Sequence, residues 1–335
     1  MKIIVCVGGN KTQSGARLGV KLAEALKTQG HEVNVLAAKG KGKVFSAVPL
    51  QEYTPLTTTK RMAGMFTKSN PEVVFAVMNL RACEAAVMAG IPFVYVEYEN
   101  FKEDKPVPTK KALLQKAVRV VVLGESDKPL NKKIYGANAV RVTPPAIWVE
   151  HYNYSKPACF KKENNVLAVG PLAKSSGFDT LLKTWARLAP AHTTWHLTIV
   201  GDGLQKTAYK RFITKNQLEG STEIVPAQSD VYSLLRNADV FVYPAVGEQP
   251  ADVLLDAMAS KLPCVASEAE SVTSLITNGV NGVIVNAGEE EPLTVALDEM
   301  MVNWGRRVGM AVEASKLKDR YPFEPFLRAV AEILN

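Results

Sequence analysis

Short apolar runs of strand length alternate along this chain with segments whose apolar residues recur at helical spacing. Residues 3–7 form a continuous apolar run and predict a buried strand. Residues 17–28 follow a glycine-containing loop and predict a helix, because their apolar positions recur every three or four residues. Residues 33–37 predict the next strand. This strand–helix–strand order is typical of a βαβ unit and indicates a parallel sheet.

The alternation stops after residue 142 and begins again at residue 166. Residues 143–145 interrupt the pattern, and residues 155–165 are polar and rich in lysine, which is typical of a domain boundary. We therefore predict an α/β fold with two facing Rossmann-like domains, at 1–150 and 151–320. A helix at 321–335 is expected to pack back on the N-terminal domain. Ligands of such folds bind beyond the carboxyl ends of the strands, so the expected site is the cleft between the domains.

The remaining elements follow from the same two periodicities. The further predicted strands are 73–77, 93–96, 118–122, 140–142, 166–169, 196–200, 223–225, 240–243, 264–266 and 282–285. The further predicted helices are 81–89, 110–116, 178–189, 208–216, 231–237, 251–260, 272–277, 291–304 and 324–334.

Composition narrows the class of protein. The 335 residues are 47% hydrophobic and 22% charged, which predicts globular domains that bury cores without disulfides. The four cysteines form no C-x-x-C pair, so we expect buried, reduced thiols. The apolar run at the N-terminus is too short for a signal peptide, and no run approaches the ~20 residues of a membrane span. These features predict a soluble, cytoplasmic protein.

The net charge of +7 leaves three interpretations open. Lysine and arginine are scattered along the chain, which is consistent with an ordinary solvated surface. The same charge would attract the protein to an anionic membrane face or to a phosphate-rich polymer. Charge alone does not choose among them.

The glycine-rich loop at residues 8–15 matches neither G-x-G-x-x-G nor G-x-x-x-x-G-K-[ST]. A nicotinamide cofactor is therefore disfavoured, and a P-loop is excluded. Gly15 at the helix start, with Lys11 or Arg17 nearby, is a candidate phosphate contact. His192 and His196 are close in sequence, but a strand pattern follows at once, so we predict no metal site.

The segment from residue 241 to 267 carries the strongest chemical signal. A buried strand ends at Pro244, Glu248 follows in a loop, a helix begins near Ala251, and Asp256 stands eight residues after Glu248. Backbone N–H groups at a helix start can bind a diphosphate. Two carboxylates, one in the loop and one in the helix, can accept hydrogen bonds from sugar and ribose hydroxyls. The pattern therefore predicts a site for a nucleotide-sugar.

This segment resembles the retaining GT-B glycosyltransferases that carry Glu, seven residues and Glu, a family 4-like group. The resemblance extends to residues 22–33, 166–170, 177–182, 199–203 and 237–244. It implies that Glu248 contacts the donor sugar as the catalytic residue and that Asp256, shorter than the family's Glu by one methylene, contacts the ribose. The residues expected to bind the donor are Gly15, Gly170, Lys174, Gln249, Pro250, Ala251, Asp252, Val253 and Asp256.

The chain departs from that family where the diphosphate is held. Family members carry an arginine and a lysine at the places of Pro171 and Ser176. Lys174 lies between them and is the candidate substitute; each lost charge-assisted hydrogen bond would cost roughly 1.5–3 kcal/mol. The family's histidines in the N-terminal domain are also absent, and a Glu97-Tyr98-Glu99 strand end stands there instead. These side chains can bind acceptor hydroxyls or form an ordinary polar strand end.

The resemblance implies transfer of a sugar with retention from a nucleoside diphosphate sugar, which is the donor substrate, with no separate cofactor. Catalysis would rest on positioning the substrates and stabilising the departing diphosphate. The acceptor is expected to be a lipid-linked or lipopolysaccharide glycan, with the protein peripheral at the inner membrane face. The alternatives are a phage-type DNA-modifying glycosyltransferase and a catalytically idle homologue that acts as a binding partner.

Overall fold

The structure is a computed structural model, in which the chain clusters into two compact units. Unit 1 comprises Met1–Pro144 with Glu324–Asn335, and unit 2 comprises Pro145–Phe323. The residues described are 1–7, 13–37, 58–98, 108–123, 129–130, 132–142, 164–227, 231–247, 249–321, 326, 328–329 and 331–332. The predicted helix at 324–334 therefore lies largely outside the described residues.

Unit 1 contains a six-stranded parallel sheet in the order β2-β1-β3-β4-β5-β6. Its strands are β1 (Lys2–Val7), β2 (Glu32–Ala37), β3 (Val73–Val77), β4 (Phe93–Tyr98), β5 (Arg119–Leu123) and β6 (Ala139–Val142). Its helices are α1 (Gln13–Thr28), α2 (Thr59–Ser69), α3 (Leu80–Ala89), α4 (Pro108–Leu114) and α5 (Lys132–Tyr135).

Unit 2 contains a second six-stranded parallel sheet, in the order β12-β11-β10-β7-β8-β9. Its strands are β7 (Asn165–Val169), β8 (His196–Val200), β9 (Thr222–Val225), β10 (Val240–Tyr243), β11 (Cys264–Ser267) and β12 (Val283–Val285). Its helices are α6 (Phe178–Leu188), α7 (Lys206–Lys215), α8 (Val231–Arg236), α9 (Asp252–Ala259), α10 (Glu270–Thr273), α11 (Glu290–Val302), α12 (Trp304–Ser315) and α13 (Leu317–Arg320). The predicted α/β class with two Rossmann-like domains is confirmed.

The order of the strands locates the ligand-binding edge of unit 2. Strands β8 and β9 lie on one side of β7, whereas β10, β11 and β12 lie on the other. The direction of winding therefore reverses between β7 and β10. In doubly wound sheets, loops after the strands at such a reversal diverge and leave room for a ligand. The loops that follow β7 and β10 are the ones singled out from the sequence.

Both sheets are built from continuous apolar runs because their strands are buried on both faces. Cys6, Cys83 and Cys264 lie in these cores as free, buried thiols. Burial raises the pKa of each thiol, so they remain protonated and behave as small apolar side chains. Among the described residues, no helix combines the length and the apolar character needed to cross a membrane.

Arg307 stabilises the end of α11 from within the core. Its side chain is buried, and its guanidinium donates to the carbonyl oxygens of Met300 and Met301, the latter at 2.8 Å. The guanidinium also lies 5.1 Å from the ring centre of Trp195. These are carbonyls that a helix leaves without intrahelical donors at its C-terminus.

Replacing Arg307 by methionine should therefore lower the free energy of unfolding by about 2–4 kcal/mol, because two buried carbonyls lose a charged donor. Arg306→Met is the matched control. Arg306 pairs with Glu299 at the surface, and its loss should cost about 1 kcal/mol or less. Urea unfolding followed by circular dichroism measures both. Equal effects would mean that the buried guanidinium contributes no more than an exposed one.

Candidate functional site

The loop at residues 170–177, which follows β7, is held by hydrogen bonds along its whole length. The N–H of Gly170 donates to Val200 (3.0 Å), and that of Leu172 to the carbonyl of Asp202 (3.0 Å). The carbonyl of Leu172 accepts in turn from the N–H of Gln205 (2.9 Å). Residues Lys174–Ser176 form a single 3-10 turn that ends at Gly177. The loop therefore has a defined conformation before any ligand is considered.

Glycines permit the close packing of this loop on the neighbouring segments. A Cβ on Gly201 would lie 2.0 Å from the carbonyl oxygen of Gly170, and one on Gly203 would lie 2.4 Å from that of Leu172. Any larger residue at either place would push the loop after β8 away from the loop after β7. The Gly201-Asp202-Gly203 motif noted in the sequence therefore acts by allowing backbone contact.

Asp202, between those glycines, connects the ends of two strands. One carboxylate oxygen lies 2.8 Å from Nζ of Lys206, and the other accepts from the N–H of Ala227 at 3.1 Å. Ala227 follows β9, so Asp202 joins the loops after β8 and β9. The family resemblance includes this motif but implies no contact for Asp202.

The loop at residues 244–251, which follows β10, lies directly against the loop after β7. The N–H of Val246 donates to the carbonyl of Ser175 at 2.8 Å. Gly177 has a φ of +68°, and a Cβ there would lie 1.7 Å from the carbonyl oxygen of Pro244. The structure therefore brings Gly170 and Lys174 together with the segment that carries the predicted acids.

Two side chains fix the far end of the same loop. The hydroxyl of Tyr243 donates to the carbonyl of Pro250 at 3.1 Å, and that of Ser271 donates to the carbonyl of Gln249 at 3.0 Å. Glu248, the predicted catalytic residue, lies outside the described residues. Its neighbour Gly247 has a φ of +78°. The chain on both sides of position 248 is thus held in place at the carboxyl end of the sheet.

Helix α9 begins immediately after this loop, with Ala251 preceding its first turn. In an α-helix, the first-turn N–H groups have no intrahelical acceptor and can bind an anion, which is the role predicted for residues 249–253. Asp252 places a carboxylate in the same turn, where it interacts favourably with the helix dipole but repels a phosphate. Asp256 lies in the middle of the helix, and its side chain is fully buried.

Lys174 carries the positive charge of the loop after β7. It is exposed, and it is the one lysine or arginine in the sequence between Gly170 and Gly177. The resembled family carries cations at the positions of Pro171 and Ser176. In this chain, Ser176 is buried, and its hydroxyl donates to the carbonyl of Pro171 at 2.5 Å. The two departures from the family pattern therefore contact each other, and neither offers a charge to a ligand.

Two predicted contacts belong to unit 1. Gly15 lies in the first turn of α1, as the predicted position at a helix start requires. Glu97 ends up buried, with its carboxylate oxygens 2.9 and 3.1 Å from Nζ of Lys110 and with the hydroxyl of Tyr95 donating to it at 3.0 Å. The predicted polar strand end is thus an internal ion pair at Glu97. The side chain of Tyr98 and all of Glu99 lie outside the described residues.

The geometry agrees with comparison to known proteins. Residues 153–316 match the family model for Glycosyl transferases group 1. This part of the chain is therefore similar to group 1 glycosyltransferases. The matched range includes every predicted donor-site residue except Gly15, and it contains both loops that meet at the strand-order reversal.

Two relatives and one solved structure are similar to this chain over different parts of its length. An uncharacterized glycosyltransferase from Haemophilus influenzae is 24% identical over 339 residues, 95% of each chain. The lipopolysaccharide core biosynthesis glycosyltransferase LpsE of Rhizobium meliloti is 27% identical over 146 residues, 44% of this chain and 42% of LpsE. HepE of Anabaena, solved in complex with UDP-glucose, has a TM-score of 0.77 and 18% identity over 100% of this chain and 99% of its own. This likeness shows that the chain has the GT-B fold.

Proposed function

We propose that this protein transfers a sugar, with retention of anomeric configuration, from a nucleoside diphosphate sugar to a glycan acceptor. One observation carries the proposal: the loop with Lys174 and the loop with Glu248 meet at the strand-order reversal of unit 2, at the start of α9. In this proposal, the backbone amides at the start of α9 and the ammonium group of Lys174 bind the diphosphate of a donor whose sugar contacts Glu248. HepE, which has the same fold, is described in complex with UDP-glucose.

The roles of the residues follow from this arrangement. Lys174 and the amides at residues 249–253 would stabilise the departing diphosphate, and Glu248 would orient the sugar. The proposal keeps Asp256 as the acceptor of ribose hydroxyls. Because that side chain is buried, the overlying residues would have to move when the donor binds. Retention rests on the resemblance of the Glu248 and Asp256 spacing to the family pattern.

For the acceptor, we propose a lipid-linked or lipopolysaccharide glycan at the inner face of the membrane. The name of LpsE, a lipopolysaccharide core enzyme, and the net charge of +7 support this choice. A DNA acceptor is the competing outcome. Incubation of labelled donor with DNA and with a lipid-linked glycan decides between the two acceptors.

Retention has a separate test. Anomeric proton couplings of the product, measured by NMR, would report retention or inversion.

Thermal unfolding with a panel of UDP-, GDP- and ADP-sugars tests the donor site. A donor present at 100 times its Kd should stabilise the protein by about 2.7 kcal/mol, which for a chain of this length is a shift of roughly 4 °C in Tm. Glu248→Ala should weaken donor affinity by roughly 10–100-fold, because it removes a charged acceptor from the sugar, and should shrink the shift accordingly. Glu219→Ala, an exposed acid in a turn of the same unit, should leave the shift unchanged.

A protein that shows no shift with any donor would instead be an idle homologue. The hydrogen bond between Ser176 and Pro171 favours that second function, since it replaces two cations by a neutral contact. A shift that survives Glu248→Ala in full would place the sugar elsewhere and contradict the proposed role of that residue.

A further inference from the structure

Tyr209 projects from α7 beneath the 3-10 turn that carries Lys174. Its side chain is 4% exposed, and its hydroxyl donates to the carbonyl oxygen of Ala173 at 3.2 Å. Its ring contacts that of Phe178 edge to face, with 6.3 Å between the ring centres. The ring is therefore held in place by packing, and its hydroxyl bonds to the loop after β7.

The carbonyl that Tyr209 contacts controls the orientation of Lys174. The peptide bond is planar, so the Ala173 carbonyl and the Lys174 N–H lie in one plane and point in opposite directions. The same carbonyl also accepts from the N–H of Ser176 at 3.1 Å, which closes the 3-10 turn. Fixing this oxygen directs the N–H of Lys174 away from α7 and fixes the Cα from which its exposed ammonium group extends.

A second side chain holds the start of the same turn. Ser176 donates to the carbonyl of Pro171, two residues before Ala173. The N–H of Ala173 also donates to Pro171 at 2.8 Å. Lys174 is thus the one charged residue of a short segment whose backbone is fixed on both sides.

The hydroxyl of Tyr209 stays protonated, and so remains a hydrogen-bond donor, at neutral pH. Burial, and to a smaller extent the charge of Asp179, raises the pKa of Tyr209 to about 12. A hydroxyl that stays protonated can donate to a carbonyl at neutral pH, whereas a phenolate could not.

We propose that Tyr209 is a positioning residue of the donor site, which sets the turn from which Lys174 reaches the donor diphosphate. The identity of the ligand in this inference rests on the proposed function, whereas its geometry rests on the hydrogen bonds to the Ala173 carbonyl. Tyr209 itself touches no substrate and acts only through the backbone of Lys174.

Tyr209→Phe tests the role, because it keeps the ring and its contact with Phe178 and removes only the hydroxyl. Loss of one neutral hydrogen bond should raise the Kd or KM for UDP-glucose, the probe, by about 3–10-fold, with kcat changed less. Tm without ligand should change by no more than about 2 °C. Tyr95→Phe in unit 1 is the matched control and should leave donor affinity unchanged.

A double-mutant cycle with Lys174→Ala decides whether Tyr209 acts through Lys174. If it does, Tyr209→Phe weakens donor binding in the wild type and has no further effect beside Lys174→Ala. An equal weakening in both backgrounds, or no weakening in the wild type, would overturn the proposal.

Hydrogen exchange of residues 172–177 keeps the inference separate from the proposed function. Tyr209→Phe should speed amide exchange in this segment without any ligand, since the turn loses an anchor. If the wild type bound no nucleotide-sugar, the proposed function would be wrong. If Tyr209→Phe left the exchange of this segment unchanged, the positioning role of Tyr209 would be wrong, whatever the result with nucleotide-sugars.

Discussion

Gly177→Ala should lower the free energy of unfolding of unit 2 by about 2–5 kcal/mol and reduce donor affinity more than tenfold. Two physical costs combine at this residue. A residue with a Cβ pays roughly 1–2 kcal/mol in the left-handed conformation that Gly177 adopts at φ +68°. Its Cβ would also lie 1.7 Å from the carbonyl oxygen of Pro244, which forces the two loops apart at a cost of about 1–3 kcal/mol.

Two other glycines separate these costs. Gly288 has a φ of +79° and nothing near its missing Cβ, so Gly288→Ala measures the conformational cost alone. Gly220 has neither feature and should tolerate alanine with little change. Urea unfolding gives the stability of each variant, and titration with UDP-glucose gives its affinity. Should Gly177→Ala behave like Gly288→Ala in both measurements, the contact with Pro244 would not be what holds the two loops together.

The fold was largely predictable because buried parallel strands leave a strong sequence signal. Residues 3–7 and 166–169 were predicted within one residue of β1 and β7, since an apolar run ends where burial ends. Helix α2 was missed, although Thr58 caps it and Met62 and Phe66 are buried at helical spacing. Lysines and a glycine interrupt the apolar periodicity of this segment. Its buried face is evident only in the structure, where α3 packs beside it.

Helix ends near turns were less predictable. The helix predicted at 291–304 corresponds to α11, which ends at Val302. A separate helix, α12, starts at Trp304. Asn303 separates them, because its side chain caps the new helix by accepting from the N–H of Arg306. The predicted helix at 272–277 is shorter and earlier, as α10 at Glu270–Thr273.

The site was predictable as a set of segments but not as a set of contacts. Glu248, Asp256 and the glycines stand out by order and spacing along the chain. The contact between Gly177 and Pro244 joins residues far apart in sequence, and so does that between Tyr209 and Ala173. Such pairs depend on how α6 and α7 pack on the sheet, which periodicity does not specify. The same limit explains Glu97, which looked like an exposed acid until α4 placed Lys110 against it.

Lys110→Met should lower the free energy of unfolding of unit 1 by about 3–5 kcal/mol, because it leaves the carboxylate of Glu97 buried without its cation. Both side chains are only 10% exposed, so water cannot replace the lost partner. Lys110 also lies 5.7 Å from the ring centre of Tyr135, a further contact that methionine keeps only in part.

Lys111→Met provides the control on the same helix, since Lys111 is exposed and its loss should cost less than about 0.5 kcal/mol. Adding Glu97→Gln to Lys110→Met should recover part of the stability, because the double variant no longer buries a charge. Urea unfolding of the wild type, Lys110→Met, Glu97→Gln and the double variant measures the coupling between Glu97 and Lys110. If Lys110→Met were as stable as Lys111→Met, the carboxylate of Glu97 would not depend on this cation, and Glu97 would again be a candidate for binding acceptor hydroxyls.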